Sequence, residues 1–263
     1  MRVATWNINS IRLRINLVKK FIKNWSPDVI CFQETKTQDE TFPKEALQEL
    51  GYPYLSIRGM KSYNGVAILS RIPFKIISSP LWCKKEDCRH LAIQLHNNLE
   101  IHNFYVPAGG DIPDPIQSPK FAHKLQFVDE MTDFFTKQKK STNKMILVGD
   151  LNIAPLATDV WSHTQLMNVV SHTAIEIEKL NKLKKTLNWV DTLRHFVPAD
   201  QKLYSWWSYR AQDWLKSNRG RRLDHIWVTP NLSSFLNKGD ILKEIRGWDT
   251  PSDHVPVLVD LKI

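Results

Sequence analysis

The chain has 263 residues, of which 42% are hydrophobic, so it is long and apolar enough to bury a substantial core rather than remain mainly disordered. Its 36 Lys and Arg outnumber its 27 Asp and Glu, and the resulting formal charge of +9 favours a polyanionic partner. No apolar run approaches the roughly 20 residues that a membrane-spanning helix needs, which excludes a transmembrane protein.

The N-terminal residues predict a strand, a helix and a second strand. Residues 3–8 have a strand-like pattern, and apolar residues then recur at three- and four-residue steps from Ile11 to Trp25. This spacing predicts an amphipathic helix, which Pro27 stops. Residues 28–34 form a short apolar run that ends in a carboxylate, as is typical of a buried strand with a polar carboxyl end. Because the strand pattern begins at once, without a secretory signal, we expect a cytoplasmic protein.

Strands dominate the rest of the first half of the chain. After a short helix that ends at Gly51, three segments predict strands, at residues 64–71, 89–95 and 99–106. The last two are joined through two asparagines and therefore predict a hairpin.

The second half begins after a loop rich in Pro, Gly and Asp at residues 107–119. Ser118 and Pro119 predict the N-cap and first turn of a helix that continues to about Lys140. A strand, a basic helix and two further strands follow, at residues 144–150, 173–188, 222–229 and 254–262. We expect a single domain over residues 1–263, built from two similar layered halves at about 1–117 and 118–263.

The cysteines give no sign of a disulfide framework or a structural zinc site. Cys31, Cys83 and Cys88 are an odd, sparse set without CxxC spacing or clustered histidines beside them. We expect all of them to be reduced and without a functional role.

Polar residues follow several of the predicted buried strands, at residues 6–9, 32–35, 149–152 and 252–256. Each of these stretches alone is typical of an ordinary turn. If Glu34, Asp150 and Asp253 converge, carboxylates about 4 Å apart repel by about 4 kcal/mol at an effective dielectric of about 20. Such a cluster requires a cation or a shared proton, and oxygen ligands without thiolates favour Mg²⁺ or Mn²⁺.

A basic chain with a local acidic cluster is what phosphodiester cleavage requires. The basic surface attracts the polyanion, and a bound metal neutralises the charge that develops on the phosphate. Asp224 follows an Arg-rich segment and could orient a histidine by accepting from one ring nitrogen, with His254 as its natural partner. These features together indicate a nuclease.

Two neighbouring tryptophans lie close to the same Arg-rich segment. Trp206 and Trp207 could stack on a base or form the wall of a sugar pocket. For Trp207, packing in the core is an equally good interpretation.

Seven short motifs occur in order along nearly the whole chain. They are WNINSIR at residues 6–12, FQETK at 32–36, NGVAILSR at 64–71, YVP at 105–107, GDLN at 149–152, NRGRRLD at 218–224 and PSDHVP at 251–256. Together they resemble the exodeoxyribonuclease III and AP endonuclease family of the endonuclease/exonuclease/phosphatase superfamily. The resemblance implies an α/β fold, specifically a four-layer α/β sandwich in which helices flank two packed mixed β-sheets.

The resemblance also implies a metal-dependent DNA phosphodiesterase of base excision repair. Such an enzyme cuts 5′ to abasic sites, acts as a 3′-to-5′ exonuclease and cleans 3′ ends, and it leaves 3′-hydroxyl groups. The implied cofactor is Mg²⁺, with Mn²⁺ as a substitute. The implied partner is double-stranded DNA with abasic sites or with recessed or blocked 3′ ends, bound by a monomer that contacts no membrane.

The same resemblance implies a role for each site residue. The metal ligands would come from Asn7, Glu34, Asp150, Asn152, Asp253 and His254, with Glu34 as the principal ligand. Asp150 and Asn152 would hold the attacking water, and Asp150 would deprotonate it. His254, paired with Asp224, would contact the scissile phosphate, and Tyr105 would donate to a phosphate oxygen or to the leaving group. Whether Asp150 or His254 is the base, and whether one or two metals act, stays open.

The DNA-binding residues implied are Trp206, Arg210, Arg221 and Leu223. Two positions depart from relatives: Ala108 stands where many have an amide, and Arg221 where some have a large apolar residue of the abasic pocket. The balance between exonuclease and endonuclease activity therefore stays open. Two alternatives also remain: a superfamily phosphoesterase acting on RNA ends, phosphoinositides or sphingomyelin, and a DNA-binding protein without catalysis.

Overall fold

Most of the predicted strands and helices form within a few residues of their predicted bounds. The computed structural model describes residues 1–211 and 213–263. Its strands are β1 (Arg2–Asn7), β2 (Val29–Gln33), β3 (Tyr54–Met60), β4 (Tyr63–Ser70), β5 (Phe74–Ile77), β6 (His90–Leu95), β7 (Glu100–Tyr105), β8 (Met145–Asp150), β9 (Val190–Asp191), β10 (Trp206–Trp207), β11 (Gly220–Arg221), β12 (Asp224–Val228), β13 (Leu236–Ile241) and β14 (Val257–Leu261). Its helices are α1 (Ile15–Trp25), α2 (Lys44–Gln48), α3 (Pro119–Gln138), α4 (His163–Leu166), α5 (Ala174–Thr186), α6 (Thr192–Phe196) and α7 (Trp214–Ser217).

The strands form two six-stranded mixed sheets and one two-stranded ribbon. The first sheet has the order β13-β14-β1-β2-β4-β3, and the second has the order β5-β6-β7-β8-β12-β9. The pairs β1–β2 and β7–β8 are parallel, and their neighbours in each sheet are antiparallel. Each sheet takes strands from both sides of residue 117, so the two parts of the chain interlock.

Apolar side chains divide the molecule into four layers. Between the sheets, Val3 and Cys31 from the first sheet meet Ile93, Val148 and Ile226 from the second. Helix α1 covers the outer face of the first sheet, and α3 and α5 cover the outer face of the second. The predicted four-layer α/β sandwich is therefore confirmed. Burial of each large aliphatic side chain contributes about 1.5–3 kcal/mol, which makes these three interfaces the main source of stability.

Backbone conformation and side-chain capping determine where the helices begin and end. Helix α1 begins at Ile15, four residues later than its apolar spacing predicts, and ends where Ser26 adopts a left-handed conformation before Pro27. Helix α3 begins as predicted, since the Ser118 side chain accepts a hydrogen bond from the backbone N–H of Phe121. No helix among residues 1–211 and 213–263 has the length and apolar character needed to cross a membrane.

Candidate active site

Four polar residues lie where the central strands of both sheets end. Asn7 is the last residue of β1, and Tyr105 and Asp150 are the last residues of β7 and β8. Asp224 begins β12 and lies directly opposite Asp150 in the antiparallel register. All four side chains are buried. The ends of the sheets therefore bring together residues that are far apart in sequence.

Two more site residues occupy loops with left-handed backbone conformations. Glu34 follows β2 with a φ of 50°, and Asn152 follows β8 with a φ of 54°. Such conformations cost about 1–2 kcal/mol for a residue with a side chain, so hydrogen bonds must hold them. The Asn152 amide donates to the carbonyl of Val106 at 2.9 Å and to the carboxylate of Asp150 at 3.1 Å.

Glu34 lies at the centre of a network that keeps it ionised. Its Oε1 accepts from Asn7 Nδ2 at 2.9 Å and from the Tyr105 hydroxyl at 2.7 Å, and Lys36 Nζ lies 2.8 Å from its Oε2. Burial acts to raise the pKa of Glu34, but Lys36 and these hydrogen bonds outweigh burial and lower it. Asn7 Nδ2 also donates to Asp150 Oδ2 at 2.9 Å, which links the two carboxylates.

His254 lies between two buried aspartates, as the sequence predicts for Asp224. Its Nδ1 lies 2.8 Å from Asp224 Oδ2, and its Nε2 lies 3.7 Å from Asp150 Oδ2. Burial acts to lower the pKa of His254, but the two carboxylates outweigh it and raise that pKa. Burial raises the pKa of Asp150, and Asp224 adds to this effect. The imidazole is therefore protonated near neutral pH, and Asp150 is a more basic carboxylate than an exposed one.

The donor atoms fit a hard divalent cation. Asp150, Asp224 and His254 each offer a ligand atom, and these atoms lie within 4.8 Å of one another. Asp224 Oδ1 is buried and has no hydrogen-bond partner among the described residues, so it lacks the compensation that a buried oxygen needs. Carboxylate oxygens next to one imidazole suit Mg²⁺ or Mn²⁺ better than a thiophilic metal.

Asp253 lies at the side of this network. Its Oδ2 accepts from the Trp206 indole N–H at 2.9 Å, and its Oδ1 accepts from Asn9 Nδ2 at 3.2 Å. Asn9 in turn accepts from Lys36 at 2.7 Å, so a chain of hydrogen bonds joins Asp253 to the Glu34 side of the site. Asp253 thus contacts the predicted aromatic wall directly and the carboxylate network through Asn9.

A cleft of about 700 Å³ opens above these residues. Glu34, Asn152, Asp253 and His254 line one part of the cleft, and two tryptophans and three arginines line the other. All four residues predicted to bind DNA line this cleft, namely Trp206, Arg210, Arg221 and Leu223. Trp207 does not line it: its side chain is buried and donates to Asn218, which confirms the core interpretation.

Two buried residues support the site, although neither lies in one of the seven short motifs. The Ser205 hydroxyl lies 2.6 Å from Asp224 Oδ2 and accepts from the backbone N–H of Asp224, so it fixes the carboxylate that holds His254. Lys124 Nζ donates to the carbonyl of Asn152 at 2.7 Å and pairs with Glu176 at 2.5 Å. A lysine on the apolar face of a helix is a signal that could have identified Lys124.

Comparison with known proteins gives consistent matches over the whole chain. Residues 4–254 match the model of the Endonuclease/Exonuclease/phosphatase family. Exodeoxyribonuclease III of Haemophilus influenzae is 28% identical over 276 residues, covering 100% of both chains. The structure of an AP endonuclease from Archaeoglobus fulgidus is 30% identical, with a TM-score of 0.91 and 100% of both chains covered. A 3′ phosphatase from Neisseria, solved bound to a product DNA hairpin, is 29% identical with the same TM-score of 0.91 and 100% coverage of both chains.

Proposed function

The chain belongs to the endonuclease/exonuclease/phosphatase family, and we propose that it is a metal-dependent DNA phosphodiesterase of base excision repair. It cuts duplex DNA 5′ to abasic sites and removes nucleotides and blocking groups from 3′ ends, leaving 3′-hydroxyl groups. The observation that carries this proposal is the buried contact of His254 with Asp224 and Asp150, beside Glu34, in a cleft lined by arginine and tryptophan.

The cofactor we propose is Mg²⁺, with Mn²⁺ as a substitute. Glu34 would be its principal ligand, with Asn7, Asp150, Asn152 and Asp253 around it. His254 borders this set, but its ring is protonated and would not coordinate the cation. When bound, the cation neutralises charge on the phosphate and lowers the pKa of a bound water. The ligand atoms of Asp150, Asp224 and His254 lie within 4.8 Å of one another, and together with the unpartnered Asp224 Oδ1 they support a hard cation next to Asp150.

Asp150 is the general base in the mechanism that we propose. Burial raises the pKa of its carboxyl group, which makes it a better acceptor for a proton from water. His254 already carries a proton, because Asp224 and Asp150 outweigh burial and raise its pKa. Its imidazolium faces the scissile phosphate and stabilises the charge of the transition state, while Asp224 holds the ring from Nδ1.

Tyr105 and Asn152 position the reacting groups. Burial and the nearby carboxylate of Glu34 raise the pKa of Tyr105, so its hydroxyl keeps the proton that it donates to a phosphate oxygen or to the leaving group. Asn152 is held by two hydrogen bonds and orients the attacking water next to Asp150.

Double-stranded DNA is the partner, bound by one copy of the chain. The formal charge of +9 attracts the phosphate backbone. Trp206 and Leu223 offer apolar surface to an abasic sugar or a terminal nucleotide, and Arg210 and Arg221 offer guanidinium groups to the backbone around it.

A cleavage assay on three labelled duplexes tests the proposed function. One duplex carries a central abasic-site analogue, the second is intact, and the third has a recessed 3′ end. We expect a nick 5′ to the lesion and shortening of the recessed end, both abolished by EDTA. RNA and soluble inositol phosphates are assayed beside them, and hydrolysis of these alone would replace DNA as the substrate. Tight binding to abasic DNA without cleavage at any metal concentration would instead indicate a non-catalytic binding protein.

A further inference from the structure

Two neighbouring arginines differ in how their charge is compensated. Arg222 is fully buried, and its guanidinium lies 2.8 Å from Asp159 and 2.8 Å from Asp191. Arg221 is partly buried in the cleft, yet no carboxylate lies within 4.0 Å of it among the residues that the structure describes. Of these two neighbours, Arg221 is the one whose guanidinium has no anionic partner among the described residues.

The contacts of Arg221 are all with uncharged groups. Its Nη1 donates to the carbonyl of Val170 at 2.9 Å and to the hydroxyl of Ser171 at 2.6 Å. Its Cζ lies 5.4 Å from the centre of the Trp206 ring, and its Nε is buried without a hydrogen-bond partner among the described residues. A partly desolvated charge of this kind is costly unless an anion approaches it. Burial accordingly lowers the pKa of Arg221, and the more distant Glu176 only partly opposes this.

The location of Arg221 in the cleft limits the anions that can contact it. Arg221 and Trp206 are paired across the β10–β11 ribbon, and both line the cleft that also contains Asn152 and His254. Because Arg221 and His254 line the same cleft, a group esterified to a phosphate at His254 can extend toward Arg221. The ring of an abasic sugar itself carries no charge.

We propose that Arg221 is a specificity-determining residue that makes the cleft prefer a 3′ blocking group with a second negative charge over an uncharged one. This inference rests on the proposed function. The matching chemistry is a phosphodiester whose blocking group carries a carboxylate and stays bonded to phosphorus, as in a 3′-phosphoglycolate end. In the reaction, water adds to phosphorus, the bond from phosphorus to the 3′-oxygen breaks, and the 3′-oxygen takes up a proton. The released phosphate monoester carries the carboxylate that Arg221 binds.

The test compares two duplexes that differ only in the charge of the blocking group. One has a recessed 3′ end closed by phosphoglycolate, and the other has the same end closed by the phosphate ester of ethylene glycol, where a CH₂OH group replaces the carboxylate. A hydrogen bond to a charged group changes such a preference by about 10- to 100-fold. We expect the wild-type protein with Mg²⁺ to favour the glycolate end in kcat/KM by a factor in this range.

Arg221→Leu should bring the preference close to one by slowing hydrolysis of the glycolate end more than that of the uncharged end, and Arg221→Lys should keep part of the preference. Arg210→Leu removes the same charge from the exposed rim, so it should lower kcat/KM for both ends by one factor and leave their ratio unchanged. A wild-type ratio near one, or a ratio that Arg221→Leu leaves unchanged, would show that Arg221 only anchors the backbone of residues 170–171. Absence of hydrolysis of either end, and of the abasic duplex, would overturn the proposed function together with this inference.

Discussion

At the scale of single residues, the candidate site keeps ionisable carboxyl groups buried, which raises the pKa of Asp150. Asp150 is 1% exposed and lies next to a second buried carboxylate, Asp224. A carboxyl group whose pKa is higher in the folded state than in the unfolded chain weakens folding as the pH rises above the unfolded pKa. The carboxylate that we propose as the general base therefore carries a cost to stability.

Asp150→Asn separates these two effects. We expect turnover on the abasic duplex to fall by about 10²- to 10⁴-fold, since the general base is lost. In metal-free buffer at pH 7 we also expect the melting temperature to stay level or to rise, because the variant has no carboxylate to desolvate. Kinetics and thermal unfolding of the same preparation measure both. A strongly lowered melting temperature would mean that Asp150 is needed for folding, and wild-type-like cutting would refute its role as the base.

Glu34→Ala tests the proposed metal site rather than the proposed general base. The variant should need more Mg²⁺ for half-maximal activity, because we propose Glu34 as the principal ligand. A magnesium titration of nicking measures this, with the exposed Glu40→Ala as a control of equal charge change on a nearby loop. If the two titration curves coincide, Glu34 is not a ligand.

At the scale of elements, an ion pair joins the two helices that cover the second sheet. Lys124 from α3 and Glu176 from α5 are both fully buried and pair at 2.5 Å. Lys124 Nζ also donates to the carbonyls of Ala108 and Asn152, and Glu176 accepts from the backbone N–H of Ser171. One buried pair thus connects both helices to loops that border the cleft.

Lys124→Met should lower the free energy of unfolding by about 3–5 kcal/mol, because it leaves the Glu176 carboxylate buried without a counter-charge. Urea unfolding measures this loss. Lys137→Met is the matched control: it lies on the same helix in an exposed pair with Asp133, and we expect little change from it. Similar midpoints for the two variants would show that the buried pair does not hold the helices.

The apolar pattern predicts the central strands and leaves the edge strands unpredicted. Strands β1, β2, β7 and β8 are buried along nearly their whole length, and β2 and β8 consist mainly of short apolar runs. The edge strand β5 exposes Lys75 and Ile76, and the edge strand β13 exposes Asn237 and Lys238, so neither shows a clear period. Edge pairing depends on the neighbouring strand, which a local pattern does not contain.

The sequence likewise predicts some residues of the candidate site and not others. The residues at strand ends, such as Asp150, were predicted because a carboxylate after an apolar run is visible in a short stretch of sequence. Ser205 and Lys124 were not, because their importance comes from partners 19 and 28 residues away in the chain. Contacts of this kind follow from the folded topology.

At the scale of the whole molecule, the positive charge governs how the protein meets DNA. Binding that neutralises several phosphates releases counterions, so the affinity falls steeply with salt. We expect the affinity for an abasic duplex in EDTA to fall by about 10³-fold or more between 50 and 200 mM salt if about six phosphates are contacted. Fluorescence anisotropy across this range gives the slope, and a flat dependence would contradict a backbone-dominated interface.

The interlocking of the two sheets also decides when in folding the nuclease becomes active. Asn7 ends β1, whereas His254 precedes β14, the strand that pairs with β1. A partly folded chain ordered only through β8 would hold Glu34, Tyr105 and Asp150 and would still lack His254. With the role that we propose for His254, nicking of DNA reports completed folding, and an intermediate that lacks His254 would not cut the genome that the finished enzyme repairs.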